Sequence, residues 1–211
     1  YGKAVQSAEM MDFAAYLHKR DAESILEGRD LFRAFESFWS VREINSREAK
    51  TSSSNYTWYP QTEFCYMRAG DVFFAAKGGY NNESHNHNDI GNFIVYAGGT
   101  PVFVDAGVGS YTAQTFSSRR YELWNMQSGW HNCPTINGVM QKEGIQYKAT
   151  NVVYAKNTTG VSVSMDIAVA YPTEAAVKKY ERKFDFDQSK NTIQLFENYE
   201  ILEWKSPLVQ S

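Results

Sequence analysis

Between residues 30 and 41 large apolar side chains recur at the spacing of one helical face, with Leu31, Phe32, Phe35, Phe38 and Trp39 in turn. Gly28 marks the break before this helix, and Asp30 or a neighbour is placed to cap it. A first helix is predicted over Ala4 to His18, a stretch rich in helix formers. Two such helices cannot bury their apolar faces alone, so they are expected to be the tail of a helical domain whose body lies upstream. From Ile44 to Asn55 the chain turns polar and Ser-rich, the composition of a linker.

After Tyr56 the pattern changes to short β-rich runs divided by turn residues. Phe64 to Arg68 and Val72 to Lys77 flank Ala69-Gly70-Asp71, which predicts a hairpin. Phe93 to Tyr96 and Pro101 to Val104 flank Ala97-Gly98-Gly99-Thr100, which predicts a second. Asn137-Gly138 is a turn signal, and strands are expected at Val152 to Ala155, Val161 to Ala170, Val177 to Phe186 and Thr192 to Phe196. The expected fold is therefore mainly β: an antiparallel β-sandwich over residues 49–211, preceded by a short helical segment over residues 1–48.

Composition narrows the partners. A formal net charge of -3 over 211 residues, without a block of Lys and Arg, argues against nucleic acid. No apolar run has the length of a membrane span. Aromatic residues make up 15% of the chain, which suits pleated half-buried surfaces and also sugar stacking. Cys65 and Cys133 match neither a disulfide framework nor a zinc ribbon, and their pairing stays open. The chain is expected to be a mature form or an excised piece, with compartment unreadable from Tyr1.

Four residues could carry chemistry. His85 and His87 stand one residue apart in Ser84-His85-Asn86-His87-Asn88-Asp89, and on an extended backbone both imidazoles would point to one side. Asp105 closes the apolar run Val102-Phe103-Val104, and His131 lies between bulky and turn-forming neighbours. Singly each has a bland reading: turn residues in water, a carboxylate serving backbone N–H groups, a hydrogen-bonded histidine. Jointly His87, Asp105 and His131 offer two imidazoles and a carboxylate, a ligand set suited to tetrahedral Zn2+. His18 has no partner motif and reads as a packing or surface residue.

Separated motifs then resemble one family. They are Gly78-Gly79-Tyr80 through Gly91-Asn92-Phe93, Gly98-Gly99-Thr100-Pro101 through Asp105-Ala106-Gly107, Phe116-Ser117-Ser118-Arg119-Arg120-Tyr121, and His131-Asn132 through Asn137-Gly138 with Gln141. Over roughly residues 60–200 the chain resembles the C-terminal β-sandwich of the heparinase II/III-like polysaccharide lyases. The resemblance implies an α/α toroid ahead of the sandwich, whose last helices are the helical start here. It also implies that His85 faces the substrate cleft, with Tyr121 as a second catalytic residue and Arg119 and Asn88 as substrate contacts. His87, Asp105 and His131 match the zinc positions, and the zinc is expected to be mainly structural. An acidic polysaccharide substrate, the toroid domain as intramolecular partner, room for a homodimer and a periplasmic or secreted location complete what it implies. The family's principal catalytic Tyr belongs to the toroid body, which this chain lacks, so activity of this stretch alone is not expected to be assured.

Two rivals remain at this level. Gly79 and His85-Asn86-His87 resemble the start of a cupin metal motif, but Ile90 and Gly91 occupy the region where a cupin needs Glu. A non-catalytic carbohydrate-binding sandwich suits the aromatic content and acidic balance equally well.

Overall fold

The computed structural model describes residues 1–20, 30–51 and 54–210. It divides into two compact units, Tyr1–Ser54 and Asn55–Ser211.

The first unit holds two helices packed on one another, α1 (Ala8–Arg20) and α2 (Leu31–Asn45). The start expected at Ala4 moves to Ala8, where the Ser7 hydroxyl accepts a hydrogen bond from Met10 N. Asp30 caps α2 as expected, accepting from Phe32 N at 2.9 Å and Arg33 N at 3.3 Å. Gly28 lies outside the described residues. The apolar stripe of α2 stays open, with Phe32 84% and Trp39 74% exposed.

The second unit is mainly β, with short 3-10 turns between strands. In chain order its strands are β1 (Tyr56–Tyr59), β2 (Phe64–Ala69), β3 (Val72–Lys77), β4 (Tyr80–Asn81), β5 (Phe93–Ala97), β6 (Thr100–Phe103) and β7 (Pro134–Thr135). There follow β8 (Gly144–Lys148), β9 (Thr150–Lys156), β10 (Gly160–Asp166), β11 (Val177–Asp187), β12 (Thr192–Ile201) and β13 (Val209–Gln210). The two large sheets have the orders β1-β2-β3-β5-β6 and β12-β11-β10-β9, and β4 pairs with β8 and β7 with β13 in two small ones, with antiparallel pairing throughout. The expected hairpins form at 69–72 and 97–100, and Asn137 and Gly138, both with positive φ, make a tight turn closed by Ile136 and Val139.

Alternation places one face of each sheet inward. Met67, Phe74 and Phe93 from the first sheet meet Val163, Met165 and Phe184 from the second, and the Phe74 and Phe184 rings lie 5.2 Å apart. Fully burying each such side chain is worth about 1.5–3 kcal/mol, so this interface is the main source of the fold's stability. Cys65 and Cys133 are free and buried, and burial pushes both thiols up to about 12. The strand expected to run from Val161 to Ala170 stops at Asp166, whose carboxylate accepts from Ala168 N and Tyr180 N and turns the chain. Between β6 and β7 the chain leaves the sandwich and runs through short 3-10 turns over residues 114–130. That excursion and the turn between β4 and β5 carry the candidate site.

Candidate functional site

The turn over residues 82–92 is pinned at both ends and in the middle. Lys77, at the end of β3 and 7% exposed, pairs with Asp89 at 2.6 Å and Glu83 at 3.5 Å. Burial alone would lower its pKa, but the two carboxylates outweigh burial and raise it. Gln141 reaches in from the far side: its Oε1 accepts from Ile90 N at 2.9 Å and its Nε2 donates to Ile90 O at 2.8 Å. Asn88 N donates to Met126 O, tying the turn to the 3-10 excursion.

Within this frame the two histidines separate. The segment is a turn, not a strand, and His85 has a left-handed φ of +58°. The alternation argument for a shared direction therefore fails, because it needs extended backbone. His85 is exposed, and its Nδ1 lies 3.4 Å from the Tyr111 hydroxyl. His87 is buried and faces His131, with ring centroids 5.3 Å apart.

His131 enters from the end of the 3-10 excursion and is 2% exposed. Its Nδ1 engages Asp105 Oδ2 at 2.8 Å, while its Nε2 is buried without a hydrogen-bond partner. Asp105, just beyond β6, also accepts from Gly107 N at 2.7 Å and from the Asn92 side chain. Burial opposes ionisation of Asp105, but His131, Gly107 N and Asn92 together overcome it and hold the carboxyl at about 2. His87 is pushed the other way: burial first, then the neighbouring His131 and Arg120, lower its pKa against the pull of Asp89 and Asp105. The shift favours the neutral imidazole, the form that binds a metal.

Among the described residues no group of three or more His, Cys, Asp and Glu side chains is arranged as a ready-made metal cluster. The donor chemistry nevertheless fits one. His131 Nε2 is buried without a hydrogen-bond partner, on a ring fixed by a carboxylate at its other nitrogen and facing a second imidazole, and such a donor suits a cation.

The remaining expected residues take different places. Tyr121 is half-buried, and its hydroxyl accepts from Asn86 Nδ2 at 3.2 Å. Asn88 is 2% exposed and spends its side chain on Asn86 and on Gln141 O, inside the turn. Arg119 is exposed and paired with Glu122 at 2.8 Å. Its neighbour Arg120 turns inward instead, donating to Asn86 O and Thr115 O at 2.9 Å each, and so joins the excursion to the histidine turn. Sequence reasoning missed Arg120, Tyr111 and Lys77. The only signal for Arg120 was the doubled arginine, which does not say which member faces in.

Residues 51–195 match the family described as Heparinase II/III-like, C-terminal. No curated protein matches. Among solved structures, one described as heparinase III superposes with a TM-score of 0.57 at 17% identity, over 84% of this chain and 28% of that one. A heparan sulfate lyase, HepC from Pedobacter heparinus, superposes with a TM-score of 0.54 at 16% identity, over 84% of this chain and 26% of that one. At such identity the likeness is one of fold, and the chain spans about a quarter of the length of either structure. The family match covers well over half of the 211 residues, and the chain belongs to the heparinase II/III-like C-terminal family.

Proposed function

We propose that this chain is the β-sandwich part of a polysaccharide lyase acting by β-elimination on a uronic-acid-containing polysaccharide, with a zinc ion held by His87, Asp105 and His131. The observation that carries it is the buried His131, whose Nε2 has no hydrogen-bond partner and whose ring is held by Asp105 through Nδ1 while it faces His87.

In such a reaction the proton at C5 of a uronic acid leaves, its electron pair forms the C4–C5 double bond, the C4–O bond breaks, and the departing oxygen takes a proton. Proton removal beside a carboxylate is slow because a second negative charge builds up. The site must therefore neutralise the carboxylate, supply a base and supply an acid. His85 is exposed at the surface and able to move a proton, and the Tyr111 hydroxyl beside its Nδ1 restrains the ring. Asn86 and Arg120 hold Tyr121 and the histidine turn in one piece, which keeps both candidate catalytic residues in fixed register. A bound zinc would supply a fixed positive charge behind the turn. Its main role here is to hold His87 and His131, and hence the loop bearing His85, in place.

A binding-only sandwich has one observation in its favour, the exposed aromatics Phe116, Trp124 and Trp130. Catalysis separates the two. The polypeptide that contains this chain, with its preceding domain, is assayed on heparan sulfate, chondroitin, hyaluronan and alginate for the ultraviolet absorbance of unsaturated uronate. Growth of that absorbance on at least one, strongly reduced by His85→Ala, is expected. Absence of unsaturated product on all of them refutes the lyase reading.

A further inference from the structure

Along β11 the side chains of Tyr180, Arg182, Phe184 and Phe186 alternate into the sandwich, and Arg182 is 1% exposed. A full charge at a position that alternation gives to an apolar residue is expensive to desolvate. Its partner across the β11–β12 pair, Glu197, accepts from Nε at 2.7 Å and offsets the charge within the sheet.

Nη2 donates to Gln210 Oε1 at 3.5 Å, while Nη1 leaves the sheet for the candidate site. Nη1 donates to Gly91 O at 2.8 Å and to Asn132 O at 2.6 Å. Gly91 closes the turn that carries His87, and Asn132 adjoins His131. Gly91 is itself cut to fit: its φ is +82°, and an added Cβ would lie 3.2 Å from Arg182 Cδ. Asn132 passes the connection on, with N donating to Asn92 Oδ1 at 3.0 Å and Nδ2 to Phe93 O at 2.7 Å and Val104 O at 2.8 Å. Asn92 in turn donates to Asp105, the residue after Val104.

One guanidinium thus holds the turn that carries His87 and the backbone next to His131 directly, and reaches Asp105 through Asn132 and Asn92. We infer that Arg182 is a positioning residue, which sets the relative placement of His87, Asp105 and His131 for zinc. The inference rests on the zinc reading above. A planar fork with fixed donor directions suits two carbonyls from separate loops, and a lysine ammonium lacks that geometry.

The test measures zinc affinity of the 211-residue chain by competition with a chromophoric chelator, alongside the melting temperature of the zinc-free protein. Arg182→Lys keeps the charge and loses the fork, whereas Glu197→Gln keeps the fork and weakens the counterion. Both lower the melting temperature; Arg182→Lys is expected to weaken zinc by about tenfold or more, as loss of an outer support does, while Glu197→Gln stays within about twofold of wild type. Asn132→Ala, which cuts the relay to Val104 and Phe93, follows Arg182→Lys and serves if that variant does not fold. Wild-type affinity in Arg182→Lys, or in Asn132→Ala where that variant stands in, overturns the inference, as does an equal loss in Glu197→Gln, which would make the effect one of stability alone. A wild-type chain that takes up no zinc overturns the zinc reading itself, and the inference with it.

Discussion

Gln141→Met, a nearly isosteric change, tests how the histidine turn is held. Gln141 is 5% exposed, and its amide closes a two-point clamp on Ile90 while accepting from Asn81 Nδ2 at 3.2 Å. Methionine fills the space but makes none of these bonds. Asn81 Nδ2 keeps Lys142 O at 3.0 Å, and Ile90 O keeps the Cys133 thiol at 3.5 Å, so neither is stranded. Ile90 N, in a fully buried residue, loses the Gln141 oxygen that accepts from it. An orphaned buried N–H costs roughly 1–3 kcal/mol, and the three other lost bonds, to Ile90 O, Asn81 Nδ2 and, at 3.5 Å, the Tyr171 hydroxyl, cost roughly 0.5–1.5 kcal/mol net each. The expected loss is about 3 kcal/mol, read as a shift in the urea midpoint of zinc-free protein at unchanged m-value. Because Ile90 lies between His87 and β5, zinc affinity should fall as well. A loss below about 1 kcal/mol would show that water or a repacked side chain replaces the clamp, and that Gln141 does not hold the turn.

Asp105→Asn probes the carboxylate held at about 2 instead of the ordinary 3.8. A depressed pKa stabilises the fold above the unfolded value and is lost as pH falls through the folded one. Zinc-free wild type should therefore exceed Asp105→Asn by on the order of 2 kcal/mol near neutral pH, with the gap closing as pH drops toward about 2. A gap that does not change with pH contradicts the pairing with His131. Gly91→Ala places a Cβ 3.0 Å from Ile167 Cγ2 on a left-handed backbone. It should cost about 2 kcal/mol in chemical denaturation, and a neutral result would refute the tight approach. Lys77→Met leaves Asp89 and Glu83 facing each other without their cation and should destabilise by about 3 kcal/mol. A melting temperature equal to wild type would count against the brace.

The sandwich was legible because its evidence is local. The hairpin turns at Gly70 and Gly98-Gly99 and the alternation through β10 and β11 need no knowledge of distant partners. The two-residue strands β4, β7 and β13, and the pairing of Tyr80 with Lys148, were not legible, because they exist only through a partner far along the chain. At the site, the residue types His85, His87, Asp105 and His131 stood out, but their arrangement did not. The left-handed backbone of His85 removes the extended geometry that the spacing argument assumed. Arg119 and Arg120 look alike in sequence, yet a 3-10 turn sends one to Glu122 and the other to Asn86 O. Arg182 carried a signal that alternation supplied: a charged residue at an inward position between Tyr180 and Phe184.

The organisation proposed for the histidine turn depends on His87, Asp105 and His131 sharing one zinc ion. X-ray absorption at the zinc edge on the purified, zinc-loaded chain tests it most directly. The account predicts about one zinc per chain in a shell of nitrogen and oxygen, with imidazole scattering that diminishes in His87→Ala and in His131→Ala. A shell containing sulfur, which would point to Cys65 or Cys133, or zinc that dialyses away from wild type as readily as from those variants, would contradict it.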